Sequence, residues 1–286
     1  MFDNGGQQSG EHGGWLGTEH DPLLVRTPAG EPWRGVNRYT DRELNLKLNL
    51  DKNRIADRRT LLTQLDNARS EEKAYEQLDH YSRMAADMLL GSPVRDAYDL
   101  EKEDPKIRHM YGDHMGGQSL LLARRLVEAG VPVVQTLLSA SDLAGGSGDN
   151  WDTHRNHFPK MKDRLLPVFD RSVSALLTDL EMRGMLEETL VVFLTDFGRT
   201  PKVNGNGGRD HYPNVYSLAY AGGGIQGGQV YGASNKKGTE PAAGACSPAD
   251  IHATAFRAMG IDPRTELHDQ LDRPFQLCDG NPLPLF

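Results

Sequence analysis

Two short segments hold most of the side chains whose types and spacing could do chemistry. The first, Trp151–His157, has the sequence WDTHRNH and places Asp152 close to His154 and His157. In an extended segment Asp152 and His154 point to the same side, whereas in a helical turn His154 and His157 share a face. In both cases a carboxylate and at least one imidazole can converge, and together they suit a divalent cation such as Zn²⁺ or Mn²⁺. The alternative is a plain helix start, in which Asp152 or Asn156 is the cap and the histidines are solvated.

The second segment, Thr189–Pro213, has the sequence TLVVFLTDFGRTPKVNGNGGRDHYP and joins a short apolar run to a glycine-rich loop. The side chains in it that could bind a metal ion or an anion are Asp196, Arg199, Arg209, Asp210 and His211. Two arginines could clamp an oxyanion, and a histidine could be a metal ligand or a general acid. The alternative is a surface loop with solvated charges, in which Asp196 caps a turn and Arg199 pairs with it.

A third segment, AGGGIQGG, contains glycines spaced as Gly222-x-Gly224-x-x-Gly227, which matches a dinucleotide-binding fingerprint. The residues after it, QVYGAS, favour a strand and a turn, so no helix N-terminus is predicted that would hold a pyrophosphate. A turn between two strands is the better interpretation, and no nucleotide cofactor is predicted.

The elements predicted to position these segments are those of a parallel sheet. Leu190–Leu194 is a short apolar run rich in β-branched residues, typical of a strand buried on both faces. Upstream, a helix at Gln118–Ala129 and a strand at Val131–Leu138 would form the return half of a crossover unit. Ligands bind beyond the carboxyl ends of such strands. The candidate site residues of both segments come after a predicted strand. We therefore expect an α/β fold with a mainly parallel central sheet and helices on both faces.

The domain organisation predicted from these patterns is a single α/β domain over residues 1–286. Residues 1–40 are rich in Gly, Pro and charge and are expected to be irregular, and residues 41–115 are expected to form a helical insertion. The sheet core, with both candidate metal-binding segments, would span residues 116–261. An irregular, proline-rich tail is expected at residues 262–286.

Two helices of this core have clear sequence signals. Phe158–Arg183 has an apolar stripe at helical spacing and is predicted to be kinked by Pro167. Pro248–Met259 is predicted to be a helix with Ser247 as its N-cap and Gly260 as its stop.

Composition excludes several function classes. The chain has 286 residues and a formal net charge of −8, which argues against non-specific nucleic-acid binding. No apolar run approaches the ~20 residues of a membrane span. The N-terminus, MFDNGGQQSGEHGGWLG, has no apolar stretch typical of a signal peptide. The two cysteines, Cys246 and Cys278, could form a disulfide but are too few and too far apart for a metal knuckle.

The sequence resembles the family called domain of unknown function 1501, which is grouped with the alkaline phosphatase and sulfatase superfamily. The motifs that carry the resemblance are WDTHRNHF, TDFGRTPKVNGNGGRDHYP and AGGGIQGGQVYGAS. Further agreement comes from GGWLGTEHDPLLV, DRRTLLTQLD, GQSLLLARRLVEAGVPVV, SPADIHATAFRAMGIDPRTELHD and DRPFQL, so that the resemblance covers nearly the whole chain.

The resemblance implies an alkaline phosphatase-like fold and metal-dependent hydrolysis of phosphate or sulfate esters. The ion would be Zn²⁺, Mn²⁺, Ca²⁺ or Mg²⁺, and the substrate would be a small molecule or a polysaccharide ester. By the superfamily pattern, metal ligands fall on Asp152 with His154 or His157, on Asp196, and on His211. The family likeness also suggests an exported or periplasmic protein.

Two departures from the pattern qualify these expectations. Superfamily members usually have a histidine after the strand-end aspartate, whereas here Phe197 follows Asp196, and the family itself usually has Glu at position 196. The early strand that bears a metal-binding aspartate in the family has no counterpart, so we expect the chain to begin inside the family pattern and to be inactive by itself. The alternative function is that of a non-catalytic, exported binding or scaffold protein that retains the fold.

Overall fold

The structure, a computed structural model, describes residues 93–138, 140, 151–269 and 271–286. These residues fall into two compact units, residues 93–140 and residues 151–286. The predictions for residues 1–92 and for the loop at 141–150 lie outside the described residues. No helix within the described ranges is long and apolar enough to cross a membrane.

The first unit is helical over its described part. Its helices are α1 (Pro93–Tyr98), a 3₁₀ turn (Leu100–Lys102), α2 (Pro105–Tyr111) and α3 (Met115–Glu128). The apolar side chains of Tyr98, Tyr111 and Leu121 are buried where α3 packs on α1 and α2. Asp104 caps α2, because its side chain accepts the N–H of Lys106 at 2.7 Å.

A glycine terminates α3 as predicted, but the strand predicted after it is not observed. Gly130 has a φ of 92°, and the N–H of Val131 donates to the carbonyl of Leu126 at 3.0 Å, a Schellman-type ending. Residues 131–138 form no strand pairing with any described residue. The apolar run alone predicted a strand there, but a strand also needs a partner for its backbone groups.

The first helical stretch in the described part of the second unit is the long helix predicted at Phe158–Arg183. It consists of α4 (His157–Lys160), a π-helical turn (Met161–Leu165) and α5 (Leu166–Met182), which follow one another without a break. Pro167 lacks an N–H and its ring crowds the carbonyl of the residue four positions earlier, and the wider π-turn directly before it accommodates this conflict. The irregularity therefore lies where Pro167 predicted a kink.

The strands of the second unit are short and form four separate pairs. They are β1 (Val191–Phe193), β2 (Gly198–Arg199), β3 (His211–Tyr212), β4 (Ala219–Ala221), β5 (Ala233–Ser234), β6 (Pro241–Ala243), β7 (Glu266–His268) and β8 (Pro274–Gln276). The pairs are β1–β4, β2–β3, β5–β6 and β7–β8, and all are antiparallel. The mainly parallel central sheet is not among the pairings of the described residues and stays a prediction.

A strand is found within the run Leu190–Leu194, as predicted, although its surroundings differ from the prediction. β1 lies within the predicted run Leu190–Leu194, but its three residues are only half-buried and Leu194 is 61% exposed. It pairs antiparallel with β4, with Val192 opposite Tyr220. β1 is therefore not buried on both faces as the apolar run suggested.

The glycine triplet after β4 forms a turn, in agreement with the turn interpretation. Gly222 and Gly223 have φ values of 68° and 55°, and the N–H of Gly223 donates to the carbonyl of Leu186 at 3.0 Å. A Cβ at Gly222 would lie 2.3 Å from that same carbonyl oxygen, so the close approach requires glycine. The next helix begins only at Pro248.

The tail at residues 262–286, predicted to be irregular, contains the β7–β8 hairpin. The carboxylate of Asp269 accepts the N–H groups of Leu271 and Arg273, both at 2.9 Å, and Asp272 has a φ of 59°. Aspartates that bond to the following backbone in this way stabilise turns. The proline content of the tail indicated irregular structure, but it carries no information about this turn chemistry.

Helix α6 (Pro248–Ala258) offers a stability prediction. The Ser247 hydroxyl accepts the N–H of Asp250, and the Asp250 carboxylate accepts the N–H of Ser247 at 2.7 Å, which completes a capping box. We expect Ser247→Ala to lower the free energy of unfolding by ~1 kcal/mol, because the N–H of Asp250 loses its side-chain acceptor and the Asp250 carboxylate loses the hydroxyl donor. Urea unfolding beside Ser174→Ala, an exposed serine in the middle of α5, checks this. Equal effects of the two substitutions would contradict the capping role.

Candidate metal centre

The β2–β3 pair brings one arginine and one histidine face to face. Arg199 lies opposite His211 and Gly198 lies opposite Tyr212, so the side chains of Arg199 and His211 project from the same face. Residues 200–210 form the loop that joins these two strands. Gly198 is required here, because a Cβ would lie 2.2 Å from the carbonyl oxygen of Val215.

The segment Trp151–His157 pairs with this loop through its backbone. The N–H of His157 donates to the carbonyl of Gly207 at 3.0 Å, and the N–H of Arg209 donates to the carbonyl of Thr153 at 3.1 Å. Arg155 and Gly207 form an isolated antiparallel bridge. The backbone pairing therefore unites the two segments that the sequence singled out, although the paired residues lie about fifty positions apart in the chain.

Three ligand-type atoms meet where the two segments join. Nε2 of His154 lies 3.1 Å from Nε2 of His211, and Oδ1 of Asp152 lies 3.0 Å from the first and 2.8 Å from the second. Each of these side chains is between 42% and 50% exposed. In the part of the chain that the structure describes, this is the one group of three or more such residues whose ligand atoms lie within 4.8 Å of one another.

Arg199 joins the carboxylate of this cluster to the loop. Its Nη2 donates to Oδ1 of Asp152 at 2.8 Å and to the carbonyl of Trp151 at 2.9 Å, and its Nη1 donates to the carbonyl of Arg209 at 3.1 Å. The hydrogen bonds from His211 and Arg199 lower the pKa of Asp152 to about 2. The carboxylate is therefore ionised at neutral pH, as a metal ligand must be.

A second carboxylate holds the far side of the His154 ring. Nδ1 of His154 lies 2.7 Å from Oδ1 of Asp210, and the hydrogen bonds of Asp210 to His154 and Asn204 lower its pKa. An ionised carboxylate only accepts, so Nδ1 of His154 carries the hydrogen, and Nε2 presents a lone pair whenever the ring is neutral. Carboxylates commonly hold metal-binding histidines in this way. The structure places Asp210 behind the His154 ring, and its assignment as a metal ligand stays a prediction.

The three atoms are of types that a cation takes as ligands. When an imidazole carries its hydrogen on Nδ1, its Nε2 offers a lone pair, and Oδ1 of Asp152 offers one as well. A divalent ion could accept one lone pair from each of the three atoms.

The aromatic ring of Phe197 packs against the second histidine. Its centroid lies 4.0 Å from that of His211 with an interplanar angle of 31°, and the Arg199 guanidinium lies 5.8 Å from the same ring. Phe197 therefore restricts the orientation of His211. In the sequence, Phe197 stands out only as a departure from the superfamily pattern.

The other predicted site residues lie outside the three-atom cluster. Nδ1 of His157 contacts Oγ1 of buried Thr153 at 2.7 Å, and burial together with the charges of Arg209 and Arg199 lowers the His157 pKa. Asp196 is exposed and accepts the N–H of Phe197 at 3.1 Å. These two ligand assignments stay predictions.

The guanidinium of Arg209, which is predicted to bind an anion, has contacts within the protein. Its Nη1 donates to the carbonyl of Thr200 at 3.3 Å, and its guanidinium carbon lies 5.5 Å from the centroid of the Phe158 ring. Its Nε is buried and makes no hydrogen bond with the described residues. The anion-binding role of both arginines stays a prediction.

Asn204 is a residue of the candidate centre that the sequence analysis did not select. Its amide group contacts Asp210, the carbonyl of His154 and two backbone N–H groups of the loop. The signal that could have found it is the Asn-Gly-Asn-Gly-Gly run, because asparagine side chains before glycines often bond to the backbone that follows.

The lowered pKa of Asp152 implies a measurable acid dependence. A carboxylate whose folded pKa is depressed contributes stability that is complete above its ordinary pKa of ~3.9 and is lost as the pH falls towards the folded value of about 2. In chelator-treated protein, we expect the stability difference between wild type and Asp152→Asn to shrink as the pH falls from 5 to 2.5. Urea unfolding at several pH values measures it, and a difference independent of pH would contradict the contacts described.

Comparison with known proteins agrees with the resemblance noted from the motifs. No curated protein and no solved structure gave a significant match. A family model described as "Protein of unknown function (DUF1501)" matches residues 2–284, which is almost the whole chain and includes every residue of the candidate metal centre. The chain therefore belongs to the DUF1501 family.

Proposed function

We propose that this chain binds a divalent metal ion through Asp152, His154 and His211 and is a metal-dependent hydrolase-like protein that acts on phosphate or sulfate esters. The observation that carries the proposal is the convergence of three ligand atoms within 3.1 Å of one another, with a carboxylate behind one of the histidines. Two imidazole nitrogens and one carboxylate oxygen form a donor set that suits Zn²⁺ or Mn²⁺, although Ca²⁺ and Mg²⁺ remain within the proposal.

The number of ligands and their exposure support a reactive site. Structural zinc sites are closed by four protein ligands, whereas catalytic ones commonly have three and keep a position for water or substrate. All three side chains of the cluster are about half exposed, so a substrate could reach the ion from solvent. A polysaccharide ester or a small-molecule ester would both fit such an accessible site.

The residues of the chain would have distinct tasks in this reaction. When bound, the ion would polarise the ester oxygen or lower the pKa of a bound water. Arg199 fixes the ionised Asp152 and connects it to the loop. Arg199 and Arg209 would stabilise negative charge in the transition state.

The wider relationship is part of the same proposal. The motifs that resemble the alkaline phosphatase and sulfatase superfamily include Asp152, His154 and His211, the three members of the cluster. The mainly parallel sheet and export from the cytoplasm are expectations from that superfamily and are proposed with it.

A second candidate function is that of a non-catalytic binding or scaffold protein. The observation that favours it is Phe197, which packs on His211 where superfamily members usually have a histidine. Such a protein would hold an ion, or only its fold, without turning over an ester.

The experiment that tests the proposal measures metal and turnover on the same samples. Purified wild type is loaded separately with Zn²⁺, Mn²⁺, Ca²⁺ and Mg²⁺, analysed for metal content, and screened with phosphate and sulfate esters. One equivalent of metal together with turnover that a chelator abolishes is expected. Metal without turnover would favour the binding protein, and absence of metal after loading would overturn the proposed site.

A further inference from the structure

The carboxamide of Asn204 makes four hydrogen bonds beside the candidate metal centre. Its Oδ1 accepts the N–H groups of Asn206 at 2.9 Å and of Gly208 at 3.0 Å. Its Nδ2 donates to the carbonyl of His154 at 3.1 Å and to Oδ1 of Asp210 at 3.0 Å. An asparagine side chain has two donors and room for two acceptor contacts, so its capacity is used in full.

These four contacts join three parts of the site. The two bonds to Oδ1 close the turn of the glycine-rich loop at residues 204–208, in the manner of an Asx turn. The two bonds from Nδ2 hold the backbone of His154 and the carboxylate that contacts its ring. One side chain therefore controls both ends of His154, its main chain directly and its imidazole through Asp210.

We infer that Asn204 is the positioning residue of the candidate metal centre, holding His154 and Asp210 so that Nδ1 of His154 carries the hydrogen and Nε2 faces Asp152 and His211. This inference rests on the proposed function, in which that arrangement presents a ligand atom to an ion. Asn204 itself contacts none of the three ligand atoms, so its effect is exerted through its neighbours.

Three substitutions in the same loop separate the parts of this role. Asn204→Ala removes all four contacts. Asn204→Asp keeps an oxygen acceptor for the N–H groups of Asn206 and Gly208, but it loses both donations and places a negative charge beside Asp210. Asn206→Ala is the matched control, because Asn206 is exposed and only its backbone is used in the contacts described.

The first readout is metal affinity by calorimetric titration with Zn²⁺ and Mn²⁺. We expect Asn204→Ala and Asn204→Asp to weaken binding by about 10–100-fold, the usual effect of losing a residue that supports a ligand. Asn206→Ala is expected to bind as the wild type does. Slow hydrogen exchange of the Gly208 N–H in Asn204→Asp would show that its loop is still folded, so that weak binding is not a consequence of unfolding.

The second readout does not need metal. In chelated, ¹⁵N-labelled protein near pH 8, we expect the His154 ring, assigned with His154→Gln, to carry its hydrogen on Nδ1 in the wild type. A mixture of both tautomers is expected in Asn204→Ala. Failure of the wild type to bind metal, with the tautomer shift still observed, would overturn the proposed function and leave the positioning role intact. Unchanged affinity and an unchanged tautomer in Asn204→Ala would overturn the positioning role.

Discussion

Replacement of His211 by alanine is expected to abolish metal binding at micromolar protein concentrations. Its Nε2 is one of three ligand atoms, and the remaining pair, Asp152 and His154, would offer too few donors for a specific site. Loss of a supporting residue alone commonly weakens metal affinity by about 10–100-fold, so the loss of a ligand is expected to exceed 100-fold. Calorimetric titration with Zn²⁺ and Mn²⁺ measures the change.

The controls for His211→Ala come from the two predicted ligands that the structure places outside the cluster. His157→Ala and Asp196→Ala remove an imidazole and a carboxylate close by in the sequence, and both are expected to change affinity by less than about 10-fold, short of the loss expected even for a supporting residue. His211→Ala also removes the packing of Phe197 on His211, which could by itself weaken binding. Asp152→Asn changes another proposed ligand and leaves that packing in place, so weak binding in both variants is attributed to the missing ligand. Weak binding in His157→Ala or Asp196→Ala with intact binding in His211→Ala would contradict the ligand set.

Substitution of Gly208 by alanine is expected to damage both the fold and the site. Gly208 is buried, and a Cβ there would lie 1.9 Å from the carbonyl oxygen of His154 and 2.5 Å from the N of Arg155. Both are backbone atoms that cannot rotate away, so the paired segments must separate. We expect a loss of at least ~1–3 kcal/mol in the free energy of unfolding, as in overpacked cores, and weaker metal binding because His154 shifts.

The same loop provides a matched control for Gly208→Ala. A Cβ at Gly205 would meet no atom within 4 Å, and Gly205 is exposed. Gly205→Ala is therefore expected to keep both stability and metal affinity close to the wild-type values. Urea unfolding and calorimetric titration of the two variants test the pairing of the segments. Similar behaviour of the two would mean that the close approach at Gly208 does not hold the site together.

The sequence pointed to the side chains that meet in the candidate metal centre better than it predicted how they are arranged. Residue type and spacing led to Asp152, His154 and His211, because carboxylate and imidazole groups in short polar segments are what metal ions require. The same criteria also selected His157 and Asp210, since residue type and spacing do not show which imidazole and carboxylate groups will converge. Only the fold shows that Asp210 lies behind His154 and that His157 contacts Thr153.

Local signals also succeeded where the cause of the structure is local. The N-cap at Ser247 and the stop at Gly130 depend on residues within one helical turn, and both are observed. The partner and direction of β1 were not accessible in this way, because an apolar run contains no information about the strand that it will meet. The antiparallel pairing with β4 depends on residues almost thirty positions later.

The backbone pairing between the segments 151–157 and 189–213 couples metal binding at the candidate centre to folding. Asp152 and His211 are separated by 59 residues, so an unfolded chain seldom brings them together and would bind an ion only weakly. An ion that binds only the native state raises the free energy of unfolding by mass action, by ~2.7 kcal/mol when its free concentration is 100 times the dissociation constant. Availability of metal would then help to set how much of the protein survives in its folded form, whether or not an ester is ever hydrolysed.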